Sequence, residues 1–391
     1  MKKLITGFIL LALLVAIFGG SQSTLAGERD VTVDKWKIHF LNCVTGPIAS
    51  IGEYMSWSAK YAAEEINEEG GIRGKPVEIV IHDTGVKPDK GIEAMSKIVD
   101  DALVTMGPVP EAVIMSAVPL AVRNGLFCMT ASTSYEYAVK YFPWTLSWYP
   151  PTEEKLPPIT SLWAKKNPEM DKVVQFVEKW AAWPGMADAH EIGLKKQNVE
   201  VQNIEVPKNS VSFGPLVVKA LSKNPDGILL TCNSSKAAKI IKELVDRGWE
   251  DKSNILVFSS ADDTPLYTTA GEALEGVSIY NYINPDSDNT RWKDFKKEYK
   301  KDHGGKEPGS LATNYYDAVY MIKESIEQKK ITGDSAKLKE ERMMIRDYTR
   351  NVEQFEGIQM TWDMNEGVPS SKKVFLFKID NGEKKLIGET Q

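Results

Sequence analysis

Apolar and polar positions follow two periods along this chain, one typical of strands and one typical of helices. Residues 37–43, 77–83 and 126–132 are short apolar runs with the length of buried strands. Between the first two, apolar side chains recur every three or four positions from 51 to 66, which predicts an amphipathic helix. Strands that alternate with helices predict an α/β fold with mostly parallel sheets flanked by helices.

The alternation pauses once and then begins again. Residues 141–158 hold five prolines and five bulky aromatic residues, and we interpret them as a connection between two lobes. Before the pause, a helix over 91–99 is predicted to place Ile92, Met95 and Val99 on one face. After it, strands are predicted at 172–178, 198–206, 227–232, 254–260, 276–283, 357–363 and 372–379, with helices between them.

The first 26 residues have the features of a secretory signal peptide. A basic tip at Lys2 and Lys3 precedes an apolar stretch that ends at Phe18, and small and polar residues lead to Ala26. The apolar stretch is shorter than the roughly 20 residues of a membrane span. We predict cleavage near Ala26 and a periplasmic protein without a lipid-anchor cysteine, because the first cysteine is Cys43.

The net charge bears on the binding partners of the protein, and the cysteines bear on its disulfides. Of 48 basic and 54 acidic residues, two lysines precede the predicted cleavage point, so the mature chain carries a net charge of −8. This balance argues against a nucleic-acid partner. Cys43, Cys128 and Cys232 each lie in an apolar run, which predicts buried thiols, and Cys43 with Cys128 is the one pair considered for a disulfide.

Signatures of catalysis are missing from the sequence. There is no glycine-rich phosphate loop, no nucleophile-elbow motif and no histidine spacing typical of a metal site. His82 and Asp83 at a predicted strand end are either a catalytic pair or a satisfied strand-end pair. The lack of a partner nucleophile favours the second interpretation. We therefore predict a protein that is not an enzyme, with no cofactor and no metal.

Several segments, in their order, resemble one family. They are "TGPIASIGEYMSWSAKYAAEEINEEGGIRGKPVEIVIHD", "MGPVPEAVIMSAVPLAVRNGLFCMTASTS", "NSVSFGPLVVKALSKNPDGILL" and "FEGIQMTWDMNEG". The chain resembles, over nearly all of 36–388, the periplasmic solute-binding proteins of ABC importers, specifically the branched-chain amino-acid-binding (Leu/Ile/Val-binding-like, type I) family.

The resemblance implies a two-lobed type I fold, with three crossing strands at the hinge and a ligand in the cleft. Lobe 1 would comprise 36–149 plus 284–356, and lobe 2 would comprise 150–283 plus 357–391. Hinge closure around a small molecule and delivery to a membrane permease follow from the same resemblance. We expect a monomer that captures an amino acid, amide, amine or small acid. A sensory binding module that signals to a membrane partner and, less favoured, an α/β enzyme are the alternatives.

The resemblance also places the candidate ligand-binding residues. The family's small-residue loop matches Ser132, Thr133 and Ser134, whereas Glu111 stands where the family commonly has serine. Trp180 and Trp183 stand where a tyrosine is expected, and they either contact the ligand or pack. The remaining candidates, in loops at the carboxyl ends of lobe 2 strands, are Asn233, Asp262 and Asp263.

Glu111 has two interpretations. It follows Pro110 at a predicted helix start, where a carboxylate is favoured by the helix dipole, and it then points to solvent. If its loop faces the cleft instead, an ionised acid repels a ligand carboxylate. The second interpretation predicts a cationic or neutral-polar ligand, or one whose acid group binds only at Ser132 to Ser134.

Overall fold

The computed structural model describes residues 31–132, 140–149, 152–180, 183–309, 311–365, 367–369 and 373–390. Its helices, in chain order, are α1 Ala49–Glu68, α2 Pro88–Ile98, α3 Glu111–Arg123, α4 Thr152–Lys166, α5 Trp183–Lys195, α6 Gly214–Leu221, α7 Ser234–Asp246, α8 Thr264–Ala270, α9 Thr290–Asp302, α10 Ala312–Gln328 and α11 Leu338–Arg350.

Its strands, in chain order, are β1 Trp36–Asn42, β2 Val77–Asp83, β3 Thr105–Met106, β4 Cys128–Thr130, β5 Thr145–Ser147, β6 Lys172–Glu178, β7 Glu200–Val206, β8 Gly227–Thr231, β9 Ile255–Val257, β10 Ser278–Asn281, β11 Phe355–Glu356, β12 Thr361–Trp362, β13 Met364–Asn365, β14 Val368–Pro369, β15 Val374–Asp380 and β16 Glu383–Thr390.

Two sheets organise these elements. The first has five parallel strands in the order β2-β1-β3-β4-β5. The second has seven strands in the order β16-β15-β10-β9-β8-β6-β7, in which β15 runs antiparallel to β10 and β16 runs antiparallel to β15. The sheets and their flanking helices confirm the predicted type I α/β architecture. We call the parts built on them the five-stranded half and the seven-stranded half.

The buried helix faces follow most of the predicted apolar positions, and Ile92 is the clearest departure. In α1, Met55, Ala59, Ala62 and Ile66 are fully buried, as the spacing predicted. In α2, however, Ile92 is 45% exposed, while Met95 and Val99 are buried. The prediction for Ile92 was wrong because only a narrow face of α2 packs against the protein. That face holds Ala94, Met95 and Ile98, and Ile92 lies outside it.

The proline-rich segment contains more structure than a connection. Thr145–Ser147 pairs with β4 as the last strand of the first sheet, and α4 begins at Thr152 with Pro157 and Pro158 inside it. Segment 141–158 therefore includes the first connection between the halves, and it also contains β5 and the start of α4, which the sequence did not predict. Both prolines lie beyond the first turn, so each removes a backbone donor from the helix. Tertiary packing offsets this loss, because the neighbouring Leu156 and Ile159 are fully buried.

Three connections join the two halves. The first follows β5, the second follows β10, and the third precedes β15. Segment 357–369, assigned from the sequence to lobe 2, contacts the five-stranded half: Ile358 N donates to Asp317 Oδ1 at 2.9 Å, and Ser147 N donates to Gly367 O at 2.9 Å. We therefore place the third crossing nearer to Val374. The remaining lobe limits stay a prediction.

The three cysteines are free and fully buried. Burial raises the pKa of the Cys43 thiol to about 12 and raises the pKa of Cys128 and Cys232 above the ordinary range. Each thiol therefore stays protonated and unreactive at neutral pH. Cys43 and Cys128 do not form the disulfide that the sequence left open.

Candidate functional site

The loop between β3 and α3 is fixed by a glycine. Gly107 has a φ of 76°, and a Cβ added there would lie 2.3 Å from the carbonyl oxygen of Leu41 on β1. This close approach brings the chain across the end of β1, so that α3 begins at Glu111 directly above the carboxyl edge of the sheet. The first turn of α3 thus lies where parallel α/β sheets place ligands.

Replacing Gly107 with alanine is expected to lower the free energy of unfolding by about 2 kcal/mol, because both the backbone conformation and the Cβ contact are unfavourable. Urea denaturation measures the change. Gly248→Ala is the matched control: Gly248 also has a positive φ, of 89°, but nothing lies within 4 Å of an added Cβ. Equal losses in the two variants would show that the contact with Leu41 does not matter.

A small cavity of about 50 Å³ lies between the two halves. Most of its walls are apolar, and Glu111, Tyr149 and Ser260 supply the polar atoms. We call it the inner cavity. Its lining residues are Ile48, Ile51, Met55, Val109, Pro110, Glu111, Ala131 and Leu311 from the five-stranded half, Trp180, Trp183 and Ser260 from the seven-stranded half, and Tyr149 from the first connection.

A wider space of about 390 Å³ adjoins the inner cavity, and we call it the outer crevice. Glu111 and Trp180 line both spaces, so the two adjoin, and together we call them the cleft. The lining residues of the outer crevice are Val86, Pro88, Glu111, Ala112 and Met115 on one side and Lys179, Trp180 and Lys208 on the other.

Glu111 is buried in the wall of this cleft. The residue is 7% exposed, which contradicts the interpretation of a helix-start acid that points to solvent. Its position in the first turn of α3 places the carboxylate at the positive end of the helix dipole. Burial raises the pKa of the neighbouring Tyr149, the bond to Ser260 partly opposes this shift, and the charge of Glu111 adds to it.

Trp180 and Trp183 form an aromatic wall on the facing half. Their rings stack with centroids 5.9 Å apart, and Trp183 packs edge-on against Phe258 at 5.2 Å. The ammonium of Lys208 lies 4.7 Å from the Trp180 ring centroid, within cation–π range. Both tryptophans therefore pack against neighbouring aromatic rings and also line the cleft.

A buried ion pair supports this wall from below. Glu178 is the last residue of β6, and Lys236 on α7 reaches it with an Nζ–Oε1 distance of 2.5 Å. The same ammonium donates to the carbonyl oxygens of Lys208 at 2.7 Å and Pro207 at 3.2 Å. One buried cation thus joins the loop that carries Trp180 to the loop that carries Lys208.

Asn233 belongs to this support and not to the cleft lining. Its Oδ1 accepts from the backbone N–H of Lys236 at 3.0 Å, capping α7, and its Nδ2 donates to Glu178 Oε2 at 3.0 Å. The side chain is engaged within its own half. The structure therefore does not bring the predicted ligand contact of Asn233 to the inner cavity or the outer crevice.

Asp262 and Asp263 line a different space, a crevice of about 340 Å³ beside α9. Asp262 is buried and accepts from Tyr267 at 2.5 Å, from Lys384 at 2.8 Å and from Asn281. Lys384 balances its charge there, and the structure does not bring the predicted ligand contact of Asp262 to the inner cavity or the outer crevice.

Asp263 connects the halves instead. It caps α8 by accepting from Thr264 N at 2.7 Å, and its second oxygen accepts from Ser50 Oγ on α1. Burial raises the pKa of this carboxyl. Ser260 of the seven-stranded half contacts the first connection, where its Oγ lies 3.4 Å from Tyr149 Oη.

The small-residue loop is described only at its start. Ser132 is 2% exposed, its carbonyl accepts from Ser147 Oγ at 2.8 Å, and the preceding Ala131 lines the inner cavity. Thr133 and Ser134 lie outside the described residues. Ligand binding by all three stays a prediction.

The cleft residues that were not identified from the sequence include the polar residues Tyr149, Ser260 and Lys208. Tyr149 lies in the proline-rich segment 141–158 and follows β5 at the carboxyl edge of the sheet. Ser260 follows β9 in a similar place, at the carboxyl edge of the second sheet. Lys208 follows the edge strand β7, and nothing in its local pattern indicates that its loop folds over Trp180.

Within the described residues, no helix has the length and apolarity to cross a membrane, and no three metal-ligating side chains come together in that part of the chain.

Sequence relatives and solved structures agree with this architecture. A Leu/Ile/Val-binding protein homologue from Brucella melitensis is 24% identical over 295 residues, which cover 75% of this chain and 79% of the relative. The Leu/Ile/Val-binding protein of Escherichia coli K12 is 22% identical over 332 residues, 83% and 87% of the two chains.

The fold is shared with solved binding proteins that have different ligands. A leucine-binding protein from Thermotoga maritima superposes with a TM-score of 0.76 at 24% identity, over 90% of this chain and 98% of that one. A solute-binding protein from R. palustris in complex with benzoate superposes with a TM-score of 0.77 at 19% identity, over 91% and 96%. The family model described as periplasmic binding protein matches residues 35–383. Since that match spans most of the chain, this protein belongs to the periplasmic binding protein family and is a binding protein, not an enzyme.

Proposed function

We propose that this protein is the periplasmic solute-binding subunit of an ABC importer, which captures a small organic solute in its cleft and delivers it to a membrane permease. It acts as a monomer after removal of residues 1–26. Its relatives are Leu/Ile/Val-binding proteins, and solved proteins of the same fold hold ligands as different as isoleucine and benzoate. The role is therefore proposed from the family, and the ligand class from this cleft.

One observation supports this proposal most directly: both halves and the connection between them line a single cavity. Ile48 and Glu111 come from one half, Trp183 and Ser260 from the other, and Tyr149 from the connection. A solute bound there contacts both halves at once, so its binding energy favours the arrangement in which they meet.

The walls indicate the kind of solute. Apolar side chains dominate the inner cavity, whereas Glu111, Tyr149 and Ser260 offer one carboxylate and two hydroxyl groups. Small-molecule sites typically combine an apolar lining with a few polar groups that orient the ligand. We propose Glu111, Ser132, Thr133, Ser134, Trp180 and Trp183 as ligand-binding residues, together with Tyr149, Ser260 and Lys208.

A ligand at a hundredfold excess over its dissociation constant is expected to stabilise the protein by about 2.7 kcal/mol through mass action. A thermal-shift screen of amino acids, amides, amines and small carboxylic acids measures this as a rise in Tm. The matched control is Trp183→Ala, which opens the aromatic wall and should reduce the rise for the same ligand. A solute recovered unchanged after prolonged incubation distinguishes binding from turnover.

A screen in which no compound raises the Tm of the folded native protein would contradict the proposed function. A chain recovered from the periplasm with residues 1–26 still attached would contradict the proposed processing. Loss of uptake of the identified ligand in cells that lack only this protein tests the role in import, since a sensory module would leave uptake intact.

A further inference from the structure

The two sides of the outer crevice carry opposite charges. Glu111 is the charged residue on the side of the five-stranded half, and Lys179 and Lys208 are those on the side of the seven-stranded half, among the described lining residues. Lys179 lies 3.4 Å from Glu205 and its side chain is 72% exposed. Lys208 instead lies with its ammonium over the Trp180 ring. The charge contrast across the crevice therefore runs chiefly from Glu111 to Lys208.

An ionised Glu111 carboxylate disfavours an anionic group on its own side of the cleft. The start of α3 is a position that favours a negative charge, because the free N–H groups and the dipole point there. In this chain, a buried side-chain carboxylate already occupies the first turn. A ligand carboxylate at the same place meets like charge, whereas an ammonium group meets an opposite one.

The position of Lys208 is determined by the fold of its loop. Its carbonyl oxygen accepts from the buried ammonium of Lys236 at 2.7 Å, which fixes the backbone at this residue. Its side chain then lies 4.7 Å from the centre of the Trp180 ring, and Trp180 lines both parts of the cleft. The ammonium is thus held at the side of the cleft opposite Glu111.

The inner cavity provides the third element of recognition. Its lining is mostly apolar, and its volume of about 50 Å³ suits a small aliphatic group and not a bulky one. It adjoins the outer crevice at Glu111 and Trp180. A ligand that extends from one space into the other places its apolar part inward and its charged head between the two opposite charges.

We propose, on the basis of the importer function above, that the cleft binds a dipolar solute in one direction. The cationic end lies at Glu111 of the five-stranded half, the anionic end lies toward Lys208 of the seven-stranded half, and a small apolar group enters the inner cavity. Glu111 and Lys208 are then the residues that determine which end of the ligand faces which half.

Calorimetric titration of three related probes tests the direction. The probes are valine, valinamide, which lacks the carboxylate, and 3-methylbutanoate, which lacks the ammonium group. Valine is chosen because the relatives above are Leu/Ile/Val-binding proteins. Each probe is titrated into the native full chain, Glu111→Gln and Lys208→Gln, and melting curves without ligand confirm that both variants fold.

The native protein is expected to bind valine at least tenfold more tightly than either of the other probes. Glu111→Gln should weaken valine and valinamide at least tenfold and leave 3-methylbutanoate unchanged or tighter. Lys208→Gln should weaken valine and 3-methylbutanoate at least threefold and leave valinamide unchanged. This crossed pattern assigns each charged end of the ligand to one residue.

The opposite assignment, in which Glu111→Gln weakens only the carboxylate-bearing probes, would overturn the proposal, as would variants that affect all three probes equally. Failure of the native protein to bind any of the three also contradicts it, since the proposal requires a dipolar head with a small apolar group. The proposed function is judged separately by the broader thermal-shift screen, so a ligand found there while these probes fail refutes the direction alone.

Discussion

Replacing Lys236 with methionine is expected to lower the free energy of unfolding by about 3–5 kcal/mol. The substitution removes the cation from a pair whose side chains are only 9% and 1% exposed, and it leaves the Glu178 carboxylate buried without its charge partner. It also removes a donor from the carbonyls of Lys208 and Pro207. Equilibrium denaturation in urea measures the loss.

Two further variants separate the causes. Lys179→Met removes the cation of an exposed pair, with Glu205, next to the same loop, and it should cost no more than about 1 kcal/mol. Adding Glu178→Gln to Lys236→Met removes the uncompensated charge and should restore part of the stability. Equal losses from Lys236→Met and Lys179→Met would show that burial of the first pair contributes nothing.

The Lys236→Met variant also tests the support of the cleft. Because Lys236 holds the loops of Trp180 and Lys208 together, tryptophan fluorescence near the cleft should change even in the folded variant. Ligand affinity should fall under conditions in which the protein remains folded. Unchanged fluorescence and affinity would limit Lys236 to a role in stability.

Acidification is expected to destabilise the protein through His190, by about 2 kcal/mol between pH 7 and pH 5. His190 is fully buried in the seven-stranded half, and burial lowers its pKa from 6.5 to about 3. Below pH 6.5 the unfolded chain therefore takes up a proton that the folded chain does not. The unfolding free energy falls by up to about 1.4 kcal/mol per pH unit until pH approaches 3, and above pH 6.5 this contribution disappears.

The neighbours of His190 are consistent with a neutral ring. Its Nε2 lies 2.7 Å from Tyr280 Oη, and its Nδ1 lies 3.3 Å from Thr231 Oγ1. Burial also keeps Tyr280 protonated, because it raises the pKa of that hydroxyl. Among the described residues, the hydrogen-bond partners of the His190 ring are Tyr280, Thr231 and Gln175, and none of them is a carboxylate. These partners therefore do not compensate a positive charge on the ring.

Comparison of the native protein with His190→Gln isolates this effect. Urea denaturation at pH 7, 6 and 5 should show a decline in the variant that is smaller by about 2 kcal/mol over the whole range, whatever its stability at pH 7. His39, whose pKa burial lowers to about 4, adds a similar decline to both proteins and does not affect their difference. Parallel pH profiles would contradict the assignment to His190.

Much of the fold was predictable because the apolar pattern within a single strand or helix shows which of its faces is buried. β2 and β6 coincide with the apolar runs at 77–83 and 172–178. The buried faces of α9 and α10 follow the spacing of Trp292, Phe295 and Tyr299 and the apolar positions from 311 to 326. In each case one face of the element packs on a core, so local periodicity carries the information.

Elements whose stability depends on distant partners were not predicted. Helix α11 is strongly polar, and its buried Arg342 donates at 2.8–2.9 Å to the carbonyls of Val99, Ala102 and Asn124 near the ends of α2 and α3. A local pattern contains no sign of such acceptors. The antiparallel strand β16 is largely exposed and depends on its pairing with β15.

The sequence by itself determined the alternating architecture, the buried thiols, the family and the presence of an acid at the start of α3. Only the tertiary structure decided what each candidate residue faces. It buried Glu111 in the cleft, engaged Asn233 and Asp262 elsewhere, and brought Lys208 over Trp180. The physical reason is that a side chain's electrostatic surroundings come from segments far apart in sequence, whereas periodicity describes only neighbours along the chain.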